Sequence, residues 1–208
     1  MVKILVFGDS ISWGAFDVEK GGWVERLKMF YFKSFKDRGI SVYNFSISGD
    51  TTRNVLRRME AEINNICPNE NEELILMFPI GSNDALYINN KENFEVPIEE
   101  FCENVSKIIE IASKFSSKII FPSFCMVNES CSMPWKDCID CDLYWENVEL
   151  ERYQDEMFRI CYERNIPVID VWNLLVDSDL PDGVHPNEKG HEKIYLQVLR
   201  FVEDYLNN

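Results

Sequence analysis

Short apolar runs alternate along the chain with longer stretches in which apolar residues recur every three or four positions. The runs predict five β-strands, at residues 3–7, 41–45, 73–79, 118–122 and 167–171. Most of these runs are apolar at consecutive positions, which is typical of parallel strands covered on both faces. The alternation therefore predicts repeated strand–helix units around a parallel sheet.

The stretches between the runs predict helices, because their apolar residues fall on one stripe of a helical surface. Three such stripes are Trp23, Leu27, Phe30 and Tyr31; Val55, Leu56, Met59 and Ile63; and Ile98, Phe101, Val105, Ile108, Ile109 and Ala112. Further helices are predicted over residues 143–163 and 188–207. The predicted fold is a three-layer α/β/α sandwich with a five-stranded, mainly parallel sheet. With 208 residues, 46% of them hydrophobic, residues 1–208 can bury the core of one such domain.

The charge and the cysteine content of the chain limit the cellular compartment and the binding partners that we expect for it. A formal net charge of −15 at pH 7 argues against a nucleic-acid surface and against stable association with anionic membranes. Met1 is followed at once by the first predicted strand, which leaves no room for a signal peptide. We therefore expect a cytoplasmic protein with seven reduced cysteines that acts on a neutral small molecule.

Residues able to carry chemistry follow four of the five predicted strands. Ser10 follows the first strand, Gly49 the second, Asn83 the third, and Asp182 with His185 the fifth. Ligands of such sheets bind outside the carboxyl ends of the strands, so these segments are expected to converge at one edge.

Ser10, His185 and Asp182 are candidates for a catalytic triad. A serine hydroxyl is a weak nucleophile, so it needs a base in contact and a third group that orients this base. The chain offers two histidines, and His191 falls in a helical pattern and lacks an acidic residue three positions before it. His185 has Asp182 at that spacing, which makes it the preferred base.

Four sequence blocks carry a resemblance to a known family. They read FGDSISWG at residues 7–14, NFSISGDTT at 44–52, GSND at 81–84 and DGVHP at 182–186. In this order they resemble the SGNH hydrolases, also called the GDSL esterase and lipase family, whose fold is flavodoxin-like. The resemblance spans residues 4 to 191, and four ordered blocks are far more specific than one tripeptide. One departure, Ile11 where the name has leucine, is conservative.

The resemblance implies a role for each of these residues. Ser10 would attack an acyl carbonyl, His185 would take its proton, and Asp182 would hold the imidazole ring. The backbone N–H groups of Ser10 and Gly49 and the side-chain amide of Asn83 would form the oxyanion hole. No metal or organic cofactor would be needed.

Each block also has an ordinary structural interpretation. Asp and Ser favour helix N-caps and turns, and Gly49 could serve only a positive φ angle. Asp9 and Asp84 are interpreted as structural carboxylates, because neither precedes the histidine.

Residues 124–142 form a long connection that we expect to cap the cleft and shape the substrate pocket. Trp13, Tyr87 and Trp135 are candidate pocket walls, and ordinary packed aromatics are the alternative. Four cysteines, Cys125, Cys131, Cys138 and Cys141, could bind a structural zinc ion. The first two are six positions apart, a spacing that favours reduced thiols instead.

The sequence thus predicts a serine esterase that cleaves short-chain acyl or acetyl esters through an acyl-enzyme. The resemblance leaves open a thioesterase, a lysophospholipase or an acyltransferase with the same triad, because fold and triad do not select the substrate. The alternative that is not an enzyme is a binding module for a small acylated ligand. Association into a homo-oligomer is also left open.

Overall fold

The computed structural model describes residues 1–66, 72–135 and 141–207. Its strands are β1 (Val2–Val6), β2 (Ile40–Asn44), β3 (Glu73–Met77), β4 (Tyr87–Ile88), β5 (Ile119–Pro122), β6 (Leu143–Tyr144) and β7 (Val168–Ile169). Its α-helices are α1 (Ser10–Trp13), α2 (Trp23–Lys33), α3 (Phe35–Arg38), α4 (Thr52–Ile66), α5 (Ile98–Ala112), α6 (Glu129–Ser132), α7 (Asn147–Glu163) and α8 (Glu188–Asn207). A 3-10 turn covers Asp177–Asp179.

The central sheet has five parallel strands in the order β2-β1-β3-β5-β7. Alternate residues of β1 enter two separate cores, with Leu5 on one face and Ile4 and Val6 on the other. Helices α4, α5 and α7 cover the first face, and α2 and α8 cover the second. This arrangement confirms the predicted three-layer sandwich with a five-stranded parallel sheet.

The prediction of one helix over residues 143–163 is wrong at its start. Leu143–Tyr144 is a strand that pairs antiparallel with Tyr87–Ile88 in a second, two-stranded sheet. The rings of Tyr87 and Tyr144 stack with centroids 4.9 Å apart, a cross-strand aromatic pair of the kind that stabilises strands. Glu146 is still extended, so the helix begins at Asn147.

A buried ion pair fixes the loop between α1 and α2. Asp17 in this loop accepts a 3.0 Å hydrogen bond from Nε of Arg26, a residue of α2. A second nitrogen of the Arg26 guanidinium donates to the backbone carbonyl of Glu188 at 3.0 Å. The pair therefore ties the segment that follows Ser10 to the first turn of α8.

Among the described residues, no helix combines the length and the apolar character needed to cross a membrane.

Candidate active site

Ser10 stands at a tight turn between β1 and α1. Asp9 caps the short helix, since its Oδ1 accepts a 3.0 Å hydrogen bond from the N–H of Ile11. Gly8 has no room for a side chain, because a Cβ there would lie 2.7 Å from Cβ of Ser12 and 2.9 Å from the carbonyl oxygen of Pro79. The turn places Ser10 at the carboxyl edge of the sheet, with only 6% of its surface exposed.

The structure joins Ser10, His185 and Asp182 in a chain of short hydrogen bonds. Ser10 Oγ lies 2.8 Å from Nε2 of His185, and Nδ1 of His185 lies 2.6 Å from Oδ2 of Asp182. The serine and the histidine are 175 positions apart in sequence. This order of contacts, with hydroxyl, imidazole and carboxylate in line, is the geometry that activates a serine nucleophile.

Asp182 is held in its charged form. Its Oδ1 accepts the backbone N–H groups of Val184 at 2.9 Å and of His185 at 2.7 Å. Burial by itself would raise the pKa of Asp182, but these bonds and the His185 side chain together lower the pKa to about 2. The carboxylate is therefore available to orient the ring and to stabilise a positive charge on it.

His191 has a different environment. It lies in α8 with no exposed surface, and its Nε2 donates a 2.8 Å hydrogen bond to the backbone carbonyl of Ala15. Burial lowers the pKa of His191, although the bond to Ala15 acts in the opposite direction. These contacts make His191 a buried packing residue that fixes the loop after α1.

The structure brings the segments of Asn83 and Gly49 together. The side-chain amide of Asn83 donates a 3.0 Å hydrogen bond to the backbone carbonyl of Asp50, the residue after Gly49. Gly49 has a φ angle of +82°, and an added Cβ would meet no atom within 4 Å. The positive φ angle, rather than crowding, is therefore what favours glycine at this position.

Two buried carboxylates link the segments that carry these residues. Oδ2 of Asp9 accepts a 2.9 Å hydrogen bond from the hydroxyl of Ser82, the residue before Asn83. Asp84, the residue after Asn83, accepts both the backbone N–H of Thr52, at 3.0 Å, and the Thr52 hydroxyl. Burial raises the pKa of Asp9, and it raises the pKa of Asp84 to about 7.

Two aromatic rings flank the His185 imidazole. The ring of Trp135 lies 6.0 Å from it and that of Phe16 lies 5.5 Å from it, measured between centroids. Trp135 is a candidate pocket wall from the sequence, and its indole N–H also donates to Oδ2 of Asp182 at 3.3 Å. Phe16 was missed, because a single aromatic residue in a polar loop gives no periodic signal.

The other two candidate pocket residues lie in different surroundings. Trp13 is 58% exposed, at the end of the short helix that begins with Ser10. Tyr87 is 4% exposed, and its ring packs against those of Tyr144 and Phe94. The ring contacts of Tyr87 thus belong to the two-stranded sheet, whereas Trp13 presents its side chain to solvent.

Comparison with known proteins assigns the chain to a family. A family model described as GDSL-like lipase/acylhydrolase matches residues 4–198. The chain belongs to this family. The resemblance indicated by the four sequence blocks is therefore confirmed, and the chain is an ester-hydrolysing enzyme of the hydrolase class.

Relatives of this GDSL-like hydrolase match it over most of its length. The GDSL esterase/lipase WDL1 of Oryza sativa subsp. japonica is 24% identical over 209 residues, which cover 96% of the chain and 77% of the relative. The isoamyl acetate-hydrolyzing esterase 1 homolog of Homo sapiens is 23% identical over 211 residues, which cover 97% and 81%. Among solved structures, the psychrotrophic esterase EstA from Pseudoalteromonas sp. matches with a TM-score of 0.73 and 20% identity over 99% of both chains.

The candidate zinc ligands of this GDSL-like hydrolase are only partly described. Cys125 is buried, and burial raises the pKa of its thiol to about 12, which disfavours the thiolate that zinc requires. Cys131 packs against Gly183, and Cys138 lies outside the described residues. Within residues 1–66, 72–135 and 141–207, no group of three or more His, Cys, Asp or Glu side chains is placed to hold a metal ion.

Proposed function

We propose that the chain is a serine esterase that hydrolyses carboxylic esters with short acyl groups, through an acyl-enzyme formed on Ser10. The observation that carries the proposal is the contact chain in which Ser10 Oγ lies 2.8 Å from His185 Nε2 and His185 Nδ1 lies 2.6 Å from Asp182 Oδ2. Membership of the GDSL-like lipase/acylhydrolase family supports it independently.

The first half of the reaction forms the acyl-enzyme. Ser10 Oγ attacks the carbonyl carbon of the ester while His185 Nε2 takes the hydroxyl proton, and Asp182 stabilises the resulting imidazolium. The carbonyl oxygen becomes an oxyanion, which the N–H groups of Ser10 and Gly49 and the amide of Asn83 would receive. Collapse of this intermediate breaks the ester C–O bond, and His185 returns the proton to the leaving alkoxide.

The second half of the reaction releases the acid. Water replaces the alcohol, gives its proton to His185 and attacks the acyl carbon, so that a second tetrahedral intermediate forms in the same oxyanion hole. Its collapse breaks the bond to Ser10 Oγ, which regains its proton from His185. The cycle needs neither a metal ion nor an organic cofactor.

The proposed substrate is a neutral ester of a small acid with an apolar alcohol. Phe16 and Trp135 flank the imidazole that protonates the leaving alcohol, and Phe16 is 50% exposed. Exposed Trp13 and Ile47 add apolar surface on the segments that carry Ser10 and Gly49. A net charge of −15 disfavours anionic substrates. An acetate ester of a branched apolar alcohol, as in the name of the human relative, has this chemistry.

The test is hydrolysis of p-nitrophenyl esters, from acetate to long acyl chains, by the native protein and Ser10→Ala. Ser48→Ala, which removes an exposed hydroxyl at the same edge, is the matched control. We expect turnover by the native protein and the control, with a rate that falls as the acyl chain lengthens, and none by Ser10→Ala. If Ser10→Ala hydrolyses these esters as fast as the native protein does, the mechanism is refuted. Binding of these esters without turnover would instead support a binding module.

A further inference from the structure

The carboxylate of Asp182 accepts more hydrogen bonds than a triad acid needs to hold its histidine. Oδ1 accepts the backbone N–H groups of Val184 and His185. Oδ2 accepts Nδ1–H of His185 at 2.6 Å and, in addition, the indole N–H of Trp135 at 3.3 Å. The same oxygen thus serves both the base and a residue 47 positions away in sequence.

Trp135 is held firmly where it makes this contact. Its backbone N–H donates a 2.7 Å hydrogen bond to the carbonyl of Leu143, and its ring packs edge-on against Trp145 with centroids 5.6 Å apart. The segment before it is bonded to the turn of the triad acid, because the N–H of Asn128 donates to the carbonyl of Gly183 at 2.8 Å. The indole contact is therefore a second hydrogen bond between this segment and that turn, beside the packing of Cys131 against Gly183.

We propose that Trp135 is a positioning residue for the triad: its indole N–H occupies the remaining acceptor direction of Asp182 Oδ2 and so fixes the plane of the carboxylate that orients His185. The proposal rests on the proposed function, since it assigns His185 as the base. A hydrogen bond to a charged acceptor is stronger than one between neutral groups, so its loss has a measurable effect. In this role Trp135 acts through Asp182, while its aromatic ring lies beside His185 at the proposed alcohol site.

The contact also affects how strongly Asp182 favours a protonated His185. An N–H group that shares Oδ2 withdraws negative charge from it, so removal of this group strengthens the attraction between the carboxylate and an imidazolium. Among the described residues, Asp9, in the turn before α1, and His191 on α8 also interact electrostatically with His185. Neither is altered by a change at Trp135, so a shift in the pH profile reports on Asp182.

The experiment compares the native protein with Trp135→Phe and Trp145→Phe, with p-nitrophenyl acetate as the substrate. Trp135→Phe keeps an aromatic ring beside His185 but removes the indole N–H together with part of the ring system. Trp145→Phe is a matched control, because it keeps an aromatic ring against Trp135 and removes an indole N–H that is buried and has no acceptor among the described residues. We expect kcat of Trp135→Phe to fall about tenfold, with KM nearly unchanged and the midpoint of the acidic limb shifted to higher pH.

The control variant should retain both the native kcat and the native midpoint. Equal losses in the two variants would mean that packing, rather than the N–H group, supports the site, and would overturn the proposal. A Trp135→Phe profile that coincides with the native profile would overturn it as well.

A measurement on the native protein separates this proposal from the proposed function. The chain has five tryptophans, so the indole N–H of Trp135 can be assigned in a ¹H–¹⁵N spectrum. Its signal should shift together with the titration of His185, with no substrate and no variant required. If this shift occurs in a protein without esterase activity, the proposed function fails and the contact stands. If the Trp135 signal does not shift as His185 titrates, the contact is overturned, even in an active enzyme.

Discussion

The side-chain amide of Asn83 donates a 3.0 Å hydrogen bond to the backbone carbonyl of Asp50. Because Asp50 follows Gly49, this bond holds the segment of Gly49 against the side chain of Asn83. Both residues are proposed oxyanion donors. The hydrogen bond between Asp84 and Thr52 reinforces the same junction from the other side of Asn83. The proposed oxyanion hole is thus rigid before any substrate arrives, which is the condition under which such donors lower a barrier.

Asn83→Ala is expected to lower kcat about 100- to 1000-fold, because it removes the side-chain donor that we propose for the oxyanion of the transition state. KM should change little. Asn93→Ala is the matched control, since the exposed Asn93 amide likewise donates to a backbone carbonyl, that of Ile88, in the loop after β4. Steady-state kinetics with p-nitrophenyl acetate separate kcat from KM. An effect confined to KM would assign Asn83 to substrate positioning instead.

Gly183→Ala is expected to disturb the turn that carries Asp182. Gly183 has a φ angle of +93°, and an added Cβ would lie 2.7 Å from Cβ of Cys131 and 2.9 Å from the carbonyl oxygen of Asn128. We expect a loss of about 1–3 kcal/mol in the free energy of unfolding, together with a loss of esterase activity.

Gly39→Ala provides the control for Gly183→Ala. Gly39 also has a positive φ angle, of +63°, but an added Cβ there would approach only Met1, at 4.0 Å. It should lose stability through backbone strain alone and keep its activity. Denaturant unfolding and kinetics on both variants provide the comparison. If Gly183→Ala is as active as Gly39→Ala, the turn is not coupled to the triad.

The sequence predicts the central sheet because its strands lie in short runs of consecutive apolar residues, and it predicts the approximate position of the candidate site because parallel strands present their carboxyl ends at one edge. It does not predict β4 and β6, because they form a separate antiparallel pair outside the repeated strand–helix units from which the central sheet is inferred. The bond between Trp135 and Asp182 depends on how residues 128–135 pack on the sheet, and this packing cannot be predicted from the local sequence.

Asp84→Asn is expected to change how stability depends on pH. The pKa of Asp84 is raised to about 7 by burial, whereas in the unfolded chain it is near 3.8. Between these values the folded state holds a proton that the unfolded chain releases, so the native free energy of unfolding falls as pH rises from about 4 to 7. Asp84→Asn lacks the titrating carboxyl group. Its free energy of unfolding should therefore rise relative to that of the native protein over this window, by up to about 4 kcal/mol.

Denaturant unfolding of both proteins across this pH window measures the Asp84 effect. Groups such as His191, whose pKa burial lowers, are present in both proteins and largely cancel in the difference. A difference that does not vary with pH would show that Asp84 is ionised in the folded state throughout.

Arg26→Ala is expected to destabilise the fold strongly, because it leaves Asp17 buried without its cation. The two side chains are 4% and 0% exposed, and breaking such a pair from one side costs about 3–5 kcal/mol. Arg152→Ala is the control, since the Arg152 side chain is 53% exposed and its pair with Glu149 is worth about 0–1 kcal/mol.

Burial alone would raise the pKa of Asp17, but the backbone N–H groups of Lys20 and Gly22 and the charge of Arg26 lower it overall. The stability that Asp17 contributes is therefore present above its unfolded pKa and lost as pH falls through the folded value. Urea unfolding of Arg26→Ala, Arg152→Ala, Asp17→Asn and the Arg26→Ala/Asp17→Asn double variant measures these losses. The double variant should be more stable than the sum of its two single losses predicts. Additive losses would mean that the two charges stabilise the loop after Ser10 independently.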